Sequence, residues 1–527
     1  MDRSLLGTRG VATPQLQNQH KHSATLRRRN PRPVLAAFNA EFGEQDGDSV
    51  TEQLVDASLA AVDSELHPQP ISTAAIDKEI FSLALPGAAA MAADSLASLV
   101  STAWVGRLGS EQLAAVGVAS SLYLAATKLV NTPLLIVSVS TIAAALGQEQ
   151  DARKVDSVGQ ALSGVILVAL VVGAVEASAL GLWAVPGLDL WGAGPASPLY
   201  PDAASYLFIR ALTAPIPLLL LTLQGCCRGL GDSNSQYKAT MVCNVINILL
   251  EPLFIFTFGW GVKGAAAAVA LSQLVSLVVL LGVLGRRYKL SLMGGQALSN
   301  TLEYLRPTGL VMLRTLAVYS CFATATGIVA RTDAVHTAAH QVCLQLALAA
   351  ALCADSLSVA AQAMLAKSTA AGDKHTAKAV ADRSLQLATN LGFLVMAGLG
   401  LASPFLPRLF TTDPAVLAAI NHTMPFVVAI QMFYSLGFLM DGLVYGTGGY
   451  RYASVASALS AGASLAVMLG GAVLADRWGA GADAVLAAVW AGLTALLAGR
   501  FLTVYVPFRL RLGPFQKLAP VTRKLQE

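Results

Sequence analysis

Acidic and amide side chains interrupt the long apolar stretches of this 527-residue chain. Asn247 and Glu251 are four residues apart, about one helical turn, so an amide and a carboxyl project from one helix face. Asp94 precedes Ser101 by seven residues, about two turns, so these two side chains also share a face. A carboxyl in apolar surroundings can load and release a proton or hold a cation. We therefore predict a proton or coupling-ion site formed by Glu251, Asn247 and Asp94.

Further charged and amide side chains lie in the apolar stretches of both halves of the chain. An ionisable group at bilayer depth costs about 3 kcal/mol or more unless it is paired or hydrated, so each is a functional candidate. The residues selected for a substrate cavity are Asp355, Asp441, Gln341, Gln362, Arg210 and Lys128. Other ionisable residues at this depth are Glu176, Arg314 and His340, the last expected to be structural. For Asp355 and Asp441, the alternative is that they form interhelical hydrogen bonds. For Asp94, the alternative is that it pairs with Lys128 to pack helices.

Polar residues in the loops are expected to have structural roles. We predict loop ion pairs of Arg228 with Asp232 and of Asp151 with Arg153. The six cysteines show no spacing typical of metal ligands, so no metal site is predicted. The small, dispersed net charge of +4 disfavours nucleic acid as a partner. No nucleophile with a neighbouring base can be named, so an enzyme is the least favoured class.

The composition indicates which elements carry these residues. The chain is 55% hydrophobic and 13% charged, whereas soluble proteins carry roughly 25% charged residues. About 20 apolar residues in a helix span the ~30 Å hydrocarbon core of a bilayer. Twelve segments qualify: 80–105, 113–146, 157–183, 204–226, 236–258, 264–285, 307–330, 334–365, 384–403, 416–445, 454–475 and 484–508. Lys and Arg are concentrated in the loops after even-numbered spans, which places both termini on the cytoplasmic or stromal side.

The two halves of the apolar region resemble each other. Pro86 and Pro307 open the first and seventh spans at an offset of 221, and Arg228-Gly229-Leu230 parallels Asp441-Gly442-Leu443 at an offset of 213. We predict an all-α integral membrane protein with twelve transmembrane helices in two six-helix lobes related by a pseudo-two-fold axis. The predicted boundaries are an N-terminal lobe 78–285, an inter-lobe loop 286–306, a C-terminal lobe 307–510 and a tail 511–527. A cavity between two parallel lobes suits alternating access.

The residues before the first span differ in charge from the rest of the chain. Residues 1–40 contain seven Lys and Arg residues and one acid, and they lack a secretory apolar core, which is typical of an organellar transit peptide. Residues 41–77 are acidic and have little apolar surface to bury, which predicts a flexible linker. The alternative is a disordered cytoplasmic tail with a basic patch.

Long segments in both halves resemble one known family. The first span and its loop read LALPGAAAMAADSLASLVSTAWVGRLG, the fifth reads NVINILLEPLFIF, and the eighth reads AAHQVCLQLALAAALCADSLSVAAQAMLA. These segments are similar to the DinF-like branch of the multidrug and toxic compound extrusion (MATE) family in its plant and algal form. The resemblance covers residues 78–510. It implies an antiporter that expels organic cations, drugs or organic anions in exchange for protons or sodium.

The resemblance also implies roles for single residues. Asn247 and Glu251 match the coupling-ion positions of the family's fifth helix, and Asp94 matches an acid of the plant form. Ser101 stands where many members carry an acid, and Val269 stands where relatives often carry Thr, which leaves protons and sodium both open.

In the second half, Asp355 and Asp441 match acids common in this branch. Members bind no prosthetic cofactor and need no ATP. The plant-like motifs favour the plastid envelope, with a mitochondrial or plasma membrane as the alternative.

The predicted partners are a small organic solute such as citrate, a phenolic acid or a drug, a proton or sodium ion, and the lipid bilayer. We predict that the chain acts as a monomer. One alternative is a lipid-linked precursor flippase, whose cavity would need more cations than Lys128, Arg210 and Arg314 supply. The other is a non-transporting membrane scaffold.

Overall fold

The computed structural model describes residues 72–148, 154–190, 193–290, 295–411 and 413–518. The predicted transit peptide, most of the predicted linker, and Asp151 with Arg153 lie outside the described residues. Within the described residues the chain forms helices and no strand.

Within the part of the chain that the structure describes, twelve helices, one of them bent, make up the bundle. The helices are α1 Thr73–Gly106, α2 Ser110–Gln148, α3 Lys154–Leu190, α4 Tyr200–Leu212 with Pro215–Gly229, α5 Ser233–Pro252, α6 Gly261–Arg287, α7 Gly295–Val329, α8 Ala334–Ala370, α9 Lys374–Ala402, α10 Pro414–Gly446, α11 Tyr450–Arg477 and α12 Gly481–Leu510. Among the described residues, eleven unbroken helices are long and apolar enough to cross a membrane, and the two segments of α4 supply a twelfth span. The 50° bend of α4 lies just before Pro215, which starts the second segment because it lacks a backbone N–H.

Several helices extend beyond the predicted spans. Ser72 caps α1 by accepting a hydrogen bond from the Ala75 backbone N–H (3.2 Å), so residues 73–77 of the predicted linker are helical. The helix α7 begins at Gly295, inside the predicted inter-lobe loop. A short 3₁₀ helix, Gly513–Leu518, lies in the predicted tail and buries Phe515 completely. The apolar segments of the sequence do not reveal these polar helix ends, because the ends lie outside the hydrocarbon-spanning part.

Glycines allow the same close helix packing in both lobes. The glycines are Gly225 and Gly229 on α4, which face α2, and Gly442 and Gly446 on α10, which face α8. A Cβ added at Gly229 would lie 2.6 Å from the Val139 carbonyl oxygen, and one added at Gly442 would lie 2.5 Å from that of Ser358. Side chains larger than hydrogen are therefore excluded at both crossings.

This packing corrects the repeat register. The glycine pairs and the starts of α5 (Ser233) and α11 (Tyr450) share one offset of 217 residues. The predicted offset of 213, which aligned Arg228 with Asp441, is wrong, and Arg228 corresponds instead to Tyr445. The letter match aligned similar residues within the helices, whereas the register depends on where backbones must touch.

The two lobes meet at one end of the bundle, where α1 and α9 begin and α2 and α8 end. Gln362 Nε2 donates hydrogen bonds to the Ile136 carbonyl (2.8 Å) and to Ser140 Oγ (2.6 Å) on α2. Arg383 forms an ion pair with Asp77 at 2.6 Å. A buried apolar cluster with members from α1, α2, α8, α9 and α10 surrounds these contacts. We call this the closed end, because here α2 and α8 are in direct contact.

Gly147 marks a close approach between α2 and α8 at the closed end. A Cβ at Gly147 would lie 2.2 Å from the Lys367 carbonyl oxygen, so Gly147→Ala must push the two helices apart. We expect spin labels at the exposed residues Asn234 and Lys374 to report a longer and broader inter-lobe distance in this variant, measured by pulsed electron paramagnetic resonance without reactive native cysteines.

Gly282→Ala on α6 is the matched control, because an added Cβ there meets nothing within 4 Å. An unchanged distance distribution in Gly147→Ala would contradict the assignment of the closed end.

Candidate functional site

Two hydrogen bonds join α1 to α5 like rungs of a ladder. Asn244 Nδ2 donates to Asp94 Oδ1 at 2.8 Å, and Ser101 Oγ donates to Glu251 Oε1 at 2.5 Å. Each bond joins residues 150 positions apart, so the helices run parallel and in register over two turns. The structure thus brings Asp94 and Glu251 to one helix interface, as the shared faces predict. Sequence reasoning missed Asn244, although it precedes Glu251 by the same seven residues that separate Asp94 from Ser101.

Asn247, on the same helix as Glu251, completes the site. Glu251 is fully buried, and its Oε2 has no hydrogen-bond partner among the described residues. Asn247, one turn earlier, interacts with the same carboxyl, and its Oδ1 likewise has no partner within the described part of the chain. Leaving a buried acceptor unpaired costs about 1–3 kcal/mol. A proton on the carboxyl or a small cation between these oxygens would remove that cost.

The backbone after Glu251 fixes the position of its side chain. Pro252 ends α5, and residues Leu253–Thr257 continue as a π-helical turn, a feature that is frequent at functional sites. This turn places Phe256 edge-on against Trp104 of α1, with ring centroids 6.3 Å apart. The aromatic contact lies one turn beyond Ser101, so it holds the end of α1 against α5 beside the Ser101–Glu251 bond.

Asp94 has neighbours that the sequence did not predict. Lys128 is exposed and forms no ion pair within the described residues, so the alternative pairing of Asp94 with Lys128 is wrong. The charge of Arg228 acts on Asp94 in the first lobe and on Asp355 of α8 in the second. Arg228 lines the same small cavity as Gly87 of α1 and Ser356 of α8, so it lies where the two lobes meet.

The predicted loop pair of Arg228 with Asp232 is also wrong. Arg228 Nε donates to Gln236 Oε1 at 2.9 Å, whereas Asp232 caps α5 through the Ser235 backbone N–H (3.0 Å) and pairs with Arg287 at 2.7 Å. Burial alone would raise the pKa of Asp232, but the hydrogen bonds from Ser235 and the Arg287 guanidinium hold that pKa below its usual value. The end of α4 directs Arg228 inward, which leaves Arg287 as the partner of Asp232.

Asp441 lies in a buried charge cluster of the second lobe. Its carboxylate accepts hydrogen bonds from Arg314 on α7 and from Arg500 on α12, and Arg314 Nε also donates to Ser457 Oγ at 3.2 Å. Both guanidinium groups and the carboxylate are buried, so Asp441 forms the interhelical hydrogen bonds of the alternative given for it. Arg500 was missed because its partner is 59 residues away on another helix.

The remaining cavity candidates are spread over the bundle. Arg210 is buried in the first lobe, where it stacks on Tyr123 at 4.4 Å and donates to Gln273 at 3.0 Å. Gln362 is consumed by its bonds to α2 at the closed end, which removes it from the predicted cavity. Gln341 is exposed on α8 and Asp355 is half-buried. His340 packs edge-on against Trp490 with centroids 5.8 Å apart, as expected of a structural histidine.

Comparison with known proteins decides the family. The MatE family model matches residues 86–253 and 307–469. The chain belongs to the MatE family. It is 34% identical over 462 residues to Protein DETOXIFICATION 44, chloroplastic, of Arabidopsis thaliana, covering 86% of each protein. It is 31% identical over 514 residues to Protein DETOXIFICATION 45, chloroplastic, of the same plant, covering 92% of this chain and 89% of the relative.

The fold is also that of solved MATE transporters. The chain is similar to the crystal structure of the Vibrio cholerae MATE transporter VcmN in the bent form, with a TM-score of 0.73 at 22% identity, covering 85% of this chain and 97% of that one. The predicted family and the predicted architecture of two helical lobes are confirmed. This MATE protein is an integral membrane transporter of the multidrug and toxic compound efflux class.

The charge cluster around Asp441 makes a stability prediction. Asp441→Asn leaves Arg314 and Arg500 buried without a counter-charge, which costs about 3–5 kcal/mol. We expect a clearly lower unfolding midpoint in detergent, followed by tryptophan fluorescence, than for the control Asp476→Asn, whose carboxyl is exposed. Equal midpoints for the two variants would show that the cluster does not stabilise the second lobe.

Proposed function

We propose that this MATE protein is a secondary active antiporter that exports an organic solute in exchange for protons or sodium by alternating access. The observation that carries the proposal is the pair of unpartnered buried oxygens, Glu251 Oε2 and Asn247 Oδ1, beside the Ser101–Glu251 hydrogen bond. The solute is a drug or xenobiotic, or an organic anion such as citrate or a phenolic acid. The family resemblance, and not the lining of a particular cavity, indicates these classes of solute.

A proton fits the two orphaned oxygens because it converts one acceptor into a donor. When Glu251 carries the proton on Oε2, that oxygen becomes a hydrogen-bond donor, and Oε1 still accepts from Ser101. Loss of the proton leaves a carboxylate with one bonded and one bare oxygen, which requires water or a cation. A sodium ion would bind to Oε1 and Oε2 of Glu251 and to Oδ1 of Asn247, so the site accommodates either ion.

The site has a physical route to the other lobe. The Asn244–Asp94 hydrogen bond fixes the position of Asp94 on α1. Arg228 attracts both this carboxyl and that of Asp355 on α8. A change of charge at Glu251 alters the packing of α1 on α5, and movement of α1 shifts Asp94 relative to Arg228. The attraction of Arg228 to Asp94 then differs from its attraction to Asp355, and this difference favours one arrangement of the lobes over the other.

The distribution of cations disfavours the flippase alternative. A flippase for a pyrophosphate-linked lipid needs unneutralised cations around its cavity. Within the described residues, Arg314 and Arg500 are occupied by Asp441 and Arg210 is covered by Tyr123, which leaves Lys128 as the one predicted cavity cation without such a partner. A non-transporting scaffold, in turn, gains nothing from a buried carboxyl with an unpaired oxygen. We expect the transporter to act as a monomer.

The coupling role of Glu251 is tested in proteoliposomes with an imposed pH gradient and an internal pH dye. With a panel of organic cations, citrate and phenolic acids, we expect cargo-dependent proton movement in the native protein and only the background of protein-free liposomes in Glu251→Gln. Glu111→Gln, an exposed acid at the start of α2, is the matched control and should retain native rates.

The possible results of this assay separate the alternatives. Proton movement that survives Glu251→Gln would transfer the coupling role to Asp94. Uptake driven by a sodium gradient alone would keep the mechanism and replace the ion. Silence under both gradients, with folded protein, would favour the flippase or the scaffold.

We also propose that the protein resides in the plastid envelope. The two Arabidopsis relatives are named chloroplastic, and the basic, acid-poor residues 1–40 have the composition of a transit peptide. Residues 1–75 fused to a fluorescent protein should direct it into plastids of plant or algal cells, whereas residues 41–75 alone should not. A cytosolic signal from the longer fusion would contradict the transit peptide, and a mitochondrial signal would correct the organelle.

A further inference from the structure

A large apolar cavity lies away from the α1–α5 site, between the two lobes. Its volume is about 650 Å³, within the range of about 300–1,000 Å³ typical of sites for drug-sized ligands. The helix α3 forms most of one wall, α7 of the second lobe forms the opposite wall, and α2 closes the back. Leu122, Val172, Trp183, Leu305 and Met312 are among the apolar residues that line it.

One carboxyl interrupts this apolar lining. Glu176 lines the cavity from α3, is only 6% exposed, and neither of its oxygens has a hydrogen-bond partner among the described residues. Arg210 is already engaged, because it stacks on Tyr123 and donates to Gln273. Tyr123 is the titratable group that faces Glu176, and its hydroxyl is also unpartnered within the described residues. A carboxyl at this depth, midway along a spanning helix, lacks the partner that such groups normally have.

The mouth of the cavity faces the side of the bundle. Four lining residues are largely exposed there: Val175 at 64%, Trp183 at 71%, Leu190 at 80% and Met312 at 41%. All four are apolar and belong to spanning helices, so their exposed surfaces lie against lipid rather than water. A ligand therefore reaches Glu176 from the hydrocarbon of the bilayer.

We propose that this cavity binds a lipophilic organic cation, with its charged centre at Glu176 and its apolar groups against the walls from α3 and α7. The cation supplies the missing partner of the carboxylate, and the apolar lining favours a ligand that partitions into the membrane. Because the two walls belong to different lobes, occupancy depends on the arrangement of the lobes. As a cargo site the cavity rests on the proposed antiport, whereas binding itself requires no coupling ion.

Binding of radiolabelled tetraphenylphosphonium to purified protein in detergent tests this site, and tetraphenylborate of the same shape but opposite charge is the comparison ligand. We expect Glu176→Gln to weaken tetraphenylphosphonium binding by about 10-fold or more, because one partner of a buried charge pair is lost. Glu176→Asp, which keeps the charge, should restore most of the affinity. Equal affinity of the native protein and Glu176→Gln would overturn the proposal.

A second pair of variants tests the cavity without touching the carboxyl. Gly309 lines the cavity on α7, and a Cβ added there meets no other atom within 4 Å, so Gly309→Phe should fit there, fill the space and abolish binding. Gly327→Phe on the same helix, where an added Cβ is equally free, should bind normally. Native affinity for tetraphenylphosphonium in Gly309→Phe would show that the cavity is not the cation site. Tetraphenylborate binding that is equally tight and unchanged in Glu176→Gln would show the same.

The same assay separates this proposal from the coupling role of Glu251. Glu251→Gln should retain tetraphenylphosphonium binding while it loses cargo-dependent proton movement. If Glu251→Gln loses binding and Glu176→Gln keeps it, the cation binds at the α1–α5 site and the lateral cavity site is wrong. If proton movement is absent in every variant but binding depends on Glu176, the antiport proposal fails and the cation site stands.

Discussion

Polar groups inside a membrane bundle must find their partners within the protein, because lipid offers none. Most of the described buried charges obey this constraint through pairs that cross between helices. Asp441 is satisfied by guanidinium groups from α7 and α12, and Arg210 by Gln273 and the ring of Tyr123. Against this background the groups left without partners are informative. Among the carboxyl groups of the described residues, those of Glu251 and Glu176 have buried oxygens without a partner, and there something other than the protein can complete the structure.

The two incomplete places differ in surroundings and therefore in chemistry. Glu251 lies in a polar interface, with the Ser101 hydroxyl bonded to one oxygen and the Asn247 amide beside it, which suits a proton or a small ion. Glu176 lies under an apolar wall open to lipid, which suits a bulky cation with apolar groups. Hydrogen-bonding neighbours thus distinguish an ion site from a cargo site, although both contain one carboxyl.

Glycine contacts pack helix pairs closely within each lobe, as the proposed alternating access requires. Gly229 and Gly442 bring α4 onto α2 and α10 onto α8 so closely that each lobe contains one tightly packed helix pair. The same α2 and α8 then meet each other at Gly147, so the rigid pairs are joined directly at the closed end. A rearrangement between the lobes must separate this contact and the bonds of Gln362, without disturbing the pairs inside each lobe.

Local features of the chain were readable from the sequence. The apolar segments correspond to twelve spans, because the length of a spanning helix is dictated by the bilayer. The shared faces of Asn247 with Glu251 and of Asp94 with Ser101 follow from helical periodicity alone. The family was readable because long segments in both halves carry its pattern.

Which helix faces lie against each other was decided by the tertiary structure. The sequence does not contain the neighbour of a given helix, so Asn244 as the partner of Asp94 and Arg500 as a partner of Asp441 were missed. Arg228 was assigned to a loop pair because its inward direction depends on the packing of α4. The sequence by itself therefore determined the spans, the shared helix faces and the family, since these depend on local periodicity and composition. Only the tertiary structure decided the repeat register, the charge partners and the cavity at Glu176, since these depend on contacts between residues distant in the chain.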